Sequence, residues 1–227
     1  MSDYLNKIVA NISNWENKKS DFNYLIAEMF EQHLGFDFNL SQVQFPSSED
    51  TVHCYFGINS FGKLIAYLVA SSNDTENQRD WSSVVYEVEC SIKTFPMLNN
   101  NEDAVISPSE AYQITQNWNG EYPTWTLNQS LNDQIFYAFQ IPAADIIIDT
   151  NYTAFFGLMN ELTFHTEYYG TLVLYSQDQM EFVSPKQNTN SEGFYNTVMP
   201  VPPYEPIVSN TYYLQQLATR TLESKLE

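Results

Sequence analysis

A chain of 227 residues, 43% hydrophobic with 16 Tyr and 15 Phe, carries enough apolar surface for a large core and lacks the composition of a disordered segment. Its 28 acidic against 9 basic side chains give a net charge of −19, which repels duplex phosphate and an anionic membrane surface. Basic proteins, cationic ligands and divalent metals remain electrostatically admissible partners, and the same surplus keeps an aromatic-rich fold in solution.

No stretch approaches the roughly 20 apolar residues of a membrane span. The opening "MSDYLNKIVANISNWENKKS" lacks the basic start and unbroken apolar run of a secretion signal, so a cytoplasmic location is expected of a chain that starts at Met1. Cys54 and Cys90 stand in unrelated segments and match neither a disulfide framework nor a zinc spacing; both read as buried structural thiols.

In chain order, Leu5, Ile8, Val9, Ile12 and Trp15 mark the apolar stripe of a first helix. Phe22, Leu25, Ile26, Met29, Phe30 and Leu34 mark a second, with Ser20 and Asp21 as candidate N-caps and Gly35 where a terminal glycine would end it. "FDFNL" (Phe36–Leu40) alternates as a short strand. "VHCYFGI" and "KLIAYLVA" read as a hairpin closed by "NSFG", with Gly62 supplying the permissive backbone. After the polar loop "SSNDTENQRD", "VVYEVECSIKTF" reads as one half-buried strand, with Tyr86, Val88, Cys90 and Ile92 on its dry face.

"MLNNNEDAV" (Met97–Val105) is the best linker. In "ISPSEAYQITQNW", Ser107 is an N-cap, Pro108 the first helical residue and Glu110 the end of a capping box; Ala111, Ile114 and Trp118 form the buried face. "EYPTWTLN" reads as a loop, "IFYAFQI" as a strand, and "PAADIIID" as a short helix opened by Pro142. "YTAFFGLM" and "GTLVLYSQ" form a second strand pair. "MPVPPYEP" (Met199–Pro206) reads as stiff and polyproline-like, and Leu214, Leu217, Ala218 and Thr221 mark a final helical stripe.

The halves echo one another. Asn14-Trp15 and Asn117-Trp118 each end a helical stripe; Phe36 and Phe136 each open a strand; Phe56-Gly57 and Phe156-Gly157 stand 20 residues after those phenylalanines. Counted from glycine to glycine, the second hairpin carries eight extra residues, and Leu64 and Tyr67 then match Leu172 and Tyr175. The fold class expected is therefore α+β: helix-plus-antiparallel-sheet units over 1–98 and 106–206, forming either separate units or one pseudo-duplicated domain, then an amphipathic helix over 207–227.

The run "ISPSEAYQITQNW", "FYAFQIPAADI", "YTAFFGL" and "GTLVLYSQD" resembles a family of uncharacterised proteins common in Bacteroidota. Their pattern is I-S-x-x-E-A…N-[WY], then an aromatic strand and a Y-F-G hairpin. The resemblance covers about residues 106–206, with a weaker echo over 1–74, and it brings no activity and no functional residue with it. Members often carry a Pro-Cys-Pro-Pro-x-Cys-like end; Val201 and Glu205 stand at those cysteine positions here, which argues against a metal or redox role.

Chemistry-bearing patterns are sparse. His53 and Cys54 are strand neighbours that point to opposite faces, so they do not form a local nucleophile–base pair. The three histidines lack metal-ligand spacing, "NNNED" and "SSNDTENQRD" lack an EF-hand's ligand order, and no phosphate-binding or nucleophile-elbow motif is present. No cofactor and no metal are expected; weak surface calcium binding is the most those acidic loops would support.

The aromatic segments "EYPTWTLN" and "TFHTEYYG" stand out as binding loops. Trp125, Phe164, Tyr168 and Tyr169, with Tyr204 in the Pro-rich stretch, are the candidate partner-binding residues. The expectation is a non-enzymatic protein that works through contacts with a protein partner, with self-association through the last helix as a further possibility. Two alternatives stand beside it: an acidic inhibitor or immunity protein that binds a basic toxin, and a hydrolase using paired carboxylates.

Overall fold

Leu5, Ile8, Val9, Ile12 and Trp15 recur at helical spacing and are all buried on one side of helix α1 (Asp3–Ser20). The computed structural model describes residues 2–20, 24–45, 51–96, 106–132, 134–143, 146, 149–160, 168–177, 181–183, 199–201 and 212–226. Two further helices follow, α2 (Pro108–Leu131) and α3 (Tyr213–Leu226). Ser107 caps α2 by accepting from the Glu110 N–H at 3.2 Å, with Pro108 in its first turn.

Strands β2 (Thr51–Ile58), β3 (Leu64–Ala70) and β4 (Val85–Glu89) form one antiparallel meander, and β7 (Tyr152–Asn160), β8 (Tyr168–Ser176) and β9 (Glu181–Val183) form another. The strand preceding each meander joins the opposite one. β1 (Leu34–Phe38) pairs with β7, and β6 (Ala138–Pro142) pairs with β2. The strand following each meander does the same: β5 (Ser91–Ile92) pairs with β1, and β10 (Met199–Val201) with β6. The result is two five-stranded sheets, β5-β1-β7-β8-β9 and β10-β6-β2-β3-β4. Each half of the chain gives three strands to one sheet and two to the other, so residues 1–98 and 106–206 do not divide into units with sheets of their own.

Strand parity then sets the layers. Cys54, Phe56 and Ile58 of β2 and Tyr152, Ala154, Phe156 and Leu158 of β7 point into a shared core between the sheets, where the Phe56 and Phe156 rings lie 5.3 Å apart. The opposite face of β2 and β3, with Tyr55, Ile65, Tyr67 and Val69, packs on Ile8 and Ile12 of α1 and Leu214, Leu217 and Ala218 of α3. The opposite face of β7 and β8, with Phe155 and Val173, packs on Ala111 and Ile114 of α2. Trp15 of α1 and Trp118 of α2 belong to the shared core, with ring centroids 5.8 and 5.2 Å from that of Phe30.

The two helix–hairpin contacts are built alike. Asn14 Nδ2 donates to the Ile58 carbonyl and Asn117 Nδ2 to the Leu158 carbonyl, each at 3.1 Å. A Cβ on Gly57 would sit 2.9 Å from the Asn11 backbone, and one on Gly157 would collide with Ile114 Cγ2. Glycine is required at both places because a helix crosses there. Register corrects the hairpin alignment: Gly57 faces Ile65 and Gly157 faces Thr171, so the second hairpin is longer by six residues rather than eight. Phe56 faces Ala66 and Phe156 faces Leu172, which makes Ala66, not Leu64, the counterpart of Leu172.

Several local expectations give way to tertiary contacts. The second apolar stripe forms a 3₁₀ turn at Tyr24–Met29 in place of a helix through Leu34, and Gly35 lies inside β1, where a Cβ would strike the Ala154 carbonyl of β7. Ser20 ends α1 instead of capping a second helix, and Asp21 and Phe22 lie outside the described residues. The "VVYEVECSIKTF" strand breaks at Cys90: Tyr86, Val88 and Cys90 contribute to the shared core, while Ile92 crosses to the other sheet and is exposed. Pro142 closes β6 opposite Thr51 rather than opening a helix, and Met199–Val201 is strand, not polyproline helix.

Candidate functional site

"EYPTWTLN" is helical. α2 runs through Pro123, whose missing N–H leaves the Asn119 carbonyl without its intrahelical donor. Gln32 Nε2 fills that gap, donating to the Asn119 carbonyl at 3.2 Å. The Asn119 side chain completes the junction: its Oδ1 accepts from the His33 N–H at 2.7 Å and its Nδ2 lies 3.2 Å from His33 Nδ1. His33 is the described non-glycine residue in the left-handed region, at φ 57°, and these bonds hold it there. Trp118 Nε1 donates to the Glu31 carbonyl at 3.2 Å, so residues 31–33 are clamped to α2 by three side chains.

Around and beyond Pro123, the side of α2 bearing Glu121, Thr124, Trp125, Asn128 and Gln129, with the C-cap Asn132, meets Gln134 and Tyr168 across an open groove of about 470 Å³. The spacing of those helical residues puts them on one stripe. Trp125 forms the groove's inner wall, 8% exposed, its ring over Gly170 and its Nε1 donating to the Tyr168 carbonyl at 2.7 Å. Ser130 Oγ donates to the Lys19 carbonyl at 3.0 Å, tying the last turn of α2 to the last turn of α1. Around the groove, Asn132 Nδ2 takes the Asn128 carbonyl at 2.8 Å and the Gln134 N–H takes the Gln129 carbonyl at 2.7 Å.

The candidate residues are therefore partly gathered. Trp125 and Tyr168 share the groove, but Trp125 is a buried helical residue and not an exposed loop anchor. Tyr169 follows Tyr168 on β8 and points to the other face, half-buried, where its hydroxyl donates to Met159 Sδ at 2.8 Å. Phe164 and Tyr204 lie outside the described residues. Among the described residues, the exposed aromatics that the sequence did not single out are Phe61, 87% exposed at the tip of the β2–β3 hairpin, and Tyr112 on α2.

A second cluster is buried. Asp74, 0% exposed, accepts from His53 Nδ1 at 2.8 Å, from the Tyr55 hydroxyl, and through Oδ1 from the Leu214 N–H at 3.1 Å. Tyr212 stacks on His53 with ring centroids 4.3 Å apart. Burial, then the neighbouring Asp74 charge, pushes the Tyr55 phenol well up, and the same two causes raise Tyr212. A histidine–carboxylate pair with a tyrosine has the parts of an acid–base relay. Here His53, Tyr55 and Asp74 are all buried, and what they hold is the first turn of α3. No sequence spacing announces this pairing, since Asp74 sits in a polar loop 21 residues from His53.

Cys54 and Cys90 are free, buried thiols whose pKa burial raises. Among the described residues no three His, Cys, Asp or Glu side chains gather as a metal-ligand set, and no helix is long and apolar enough to cross a membrane. No protein-family model matches the chain, and no curated protein or solved structure does.

Proposed function

We propose that this is a non-enzymatic protein that binds a protein partner through the groove beside the C-terminal half of α2. The observation that carries this reading is the grouping of Tyr168 and Trp125 with Asn128, Gln129, Asn132 and Gln134 along one open channel. Side-chain amides both donate and accept, so they match the alternating N–H and C=O groups of an extended polypeptide, while an aromatic wall supplies contact area at low entropic cost. Among the described residues that line this channel the one carboxylate is Glu121, whereas hydrolysis with paired carboxylates needs two. The net charge of −19 favours a second reading of the same surface, an acidic inhibitor that meets a basic toxin.

The test is site-specific photo-crosslinking in host cells. A photoreactive residue at Asn128 should trap one recurrent protein, and the same group at Glu76, which does not line the groove, should not. Equal trapping from both positions, or none from Asn128, refutes the reading. Salt sensitivity of the captured complex then separates the two forms of it, because charge-steered association slows steeply as ionic strength rises.

A further inference from the structure

Three features of the groove have the same electrical sign. Glu121 stands at its rim, and among the described residues that line it there is no Lys or Arg. The groove also runs along the last turns of α2, whose own final turn carries no basic residue against the negative end of the helix dipole, although Lys18 and Lys19 end the neighbouring α1. The carbonyls of Asn128 and Gln129 in that turn are met by neutral amides alone. Tyr168, half-buried and packed against the shared core, adds an aromatic side chain to the lining. The chain's net charge of −19 has the same sign and favours the approach of a cation.

We infer that the α2 groove is a receptor for an arginine side chain carried on an extended segment of the partner protein. A guanidinium is planar and stacks on a tyrosine ring. Its five N–H donors also suit the mixture present here, one carboxylate and several amide oxygens; a lysine ammonium offers neither the plane nor the spread of donors. The volume of about 470 Å³ accommodates one such side chain with the adjoining backbone. This inference rests on the reading of the groove as a protein-binding site and adds the chemistry of what enters it.

The experiment is selection of a phage-displayed library of random dodecapeptides on the immobilised full-length protein, in parallel with its Glu121→Gln, Tyr168→Ala and Asn128→Lys variants. Far-ultraviolet circular dichroism and thermal melts first establish that each variant is folded. Wild-type protein should enrich peptides with arginine at one fixed position. A synthetic peptide of the winning sequence should bind about tenfold more weakly when that arginine becomes citrulline, and by a similar factor to Glu121→Gln, as expected for loss of a charged hydrogen-bonding partner. Replacing it with lysine should weaken binding less than citrulline does. Enrichment of peptides without a fixed arginine, lost only on Asn128→Lys, would overturn the arginine inference and leave the groove reading standing. No enrichment on the wild type, or enrichment unchanged on Asn128→Lys, would overturn both.

Discussion

Asp74→Ala is the substitution that tests the architecture most directly. The carboxylate is fully buried and accepts three donors from two segments: the His53 ring and Tyr55 hydroxyl of β2, and the backbone N–H of Leu214 in α3. Removing it orphans all three at once. An unsatisfied buried donor costs about 1–3 kcal/mol, so orphaning three is expected to cost about 3 kcal/mol or more. That is a fifth or more of the ~5–15 kcal/mol by which a domain is stable. Asp74→Asn keeps one acceptor oxygen but turns an amide N–H₂ toward donors, and should lose about 2 kcal/mol. Urea unfolding followed by tryptophan fluorescence measures both values.

Hydrogen exchange locates the damage. α3 packs through Leu214, Leu217 and Ala218 and through Tyr213 stacked on Trp81, with Ser13 Oγ donating to the Ala218 carbonyl at 3.1 Å. Without Asp74 its amides should exchange first, while those of α2 keep their protection, because local opening follows local contact density. A loss below about 1 kcal/mol, or a uniform rise in exchange across α2 and α3, would refute the assignment of Asp74 as the pin of α3.

Alkaline pH should unfold the protein with a recognisable order. Burial raises the phenols of Tyr4, to about 12, and of Tyr55, Tyr67, Tyr86 and Tyr212. Groups raised in the fold contribute stability below the unfolded value of 10.0 that is lost as pH climbs through their folded values, so the urea midpoint should fall from about pH 10 upward and ultraviolet titration should show these five tyrosines ionising late. Cys54 and Cys90, buried with raised pKa, should resist a thiol reagent in the native state and both react in denaturant; rapid native reaction would contradict their burial. Asn14→Ala and Asn117→Ala should each lose about 1 kcal/mol, by equilibrium unfolding, for a hydrogen bond to a β-hairpin carbonyl. Markedly different values would show that the two helix–hairpin contacts are not energetically alike.

What was legible in the sequence is what period alone determines. The stripes of α1, the first half of α2 and α3, the Ser107 cap, the β2–β3 hairpin with its turn at Gly62, and the opposite faces of His53 and Cys54 all follow from spacing within a few residues. Parity says which side of a strand is dry; it does not say which sheet the strand joins. Phe36 and Phe136 looked like the openings of strands in their own units, yet β1, which contains Phe36, and β6, which starts two residues after Phe136, each pair with the other half's hairpin. Pro123 has the local signature of a helix end, and only a glutamine 91 positions earlier, donating to the stranded Asn119 carbonyl, lets α2 continue and so creates the groove. Asp74 resembled any solvated loop carboxylate until the fold brought β2 and α3 to it.

The exchange of strands bears on how the groove keeps its shape. Its helical wall is fixed by Gln32, His33 and Lys19 from the first half of the chain, and its far wall, Tyr168, is the first residue of β8, whose sheet includes β1 and β5 from that same half. A hairpin and helix from the second half alone would lack the donor that satisfies Asn119 and the β1 edge that closes the sheet beneath Phe155. Binding surfaces gain affinity when their geometry is set before the partner arrives, since less ordering is left to be done on contact. Here that pre-organisation comes from contacts between the halves. The groove is thus a property of the intertwined chain, and the second half's sequence taken by itself contains its lining but not its shape.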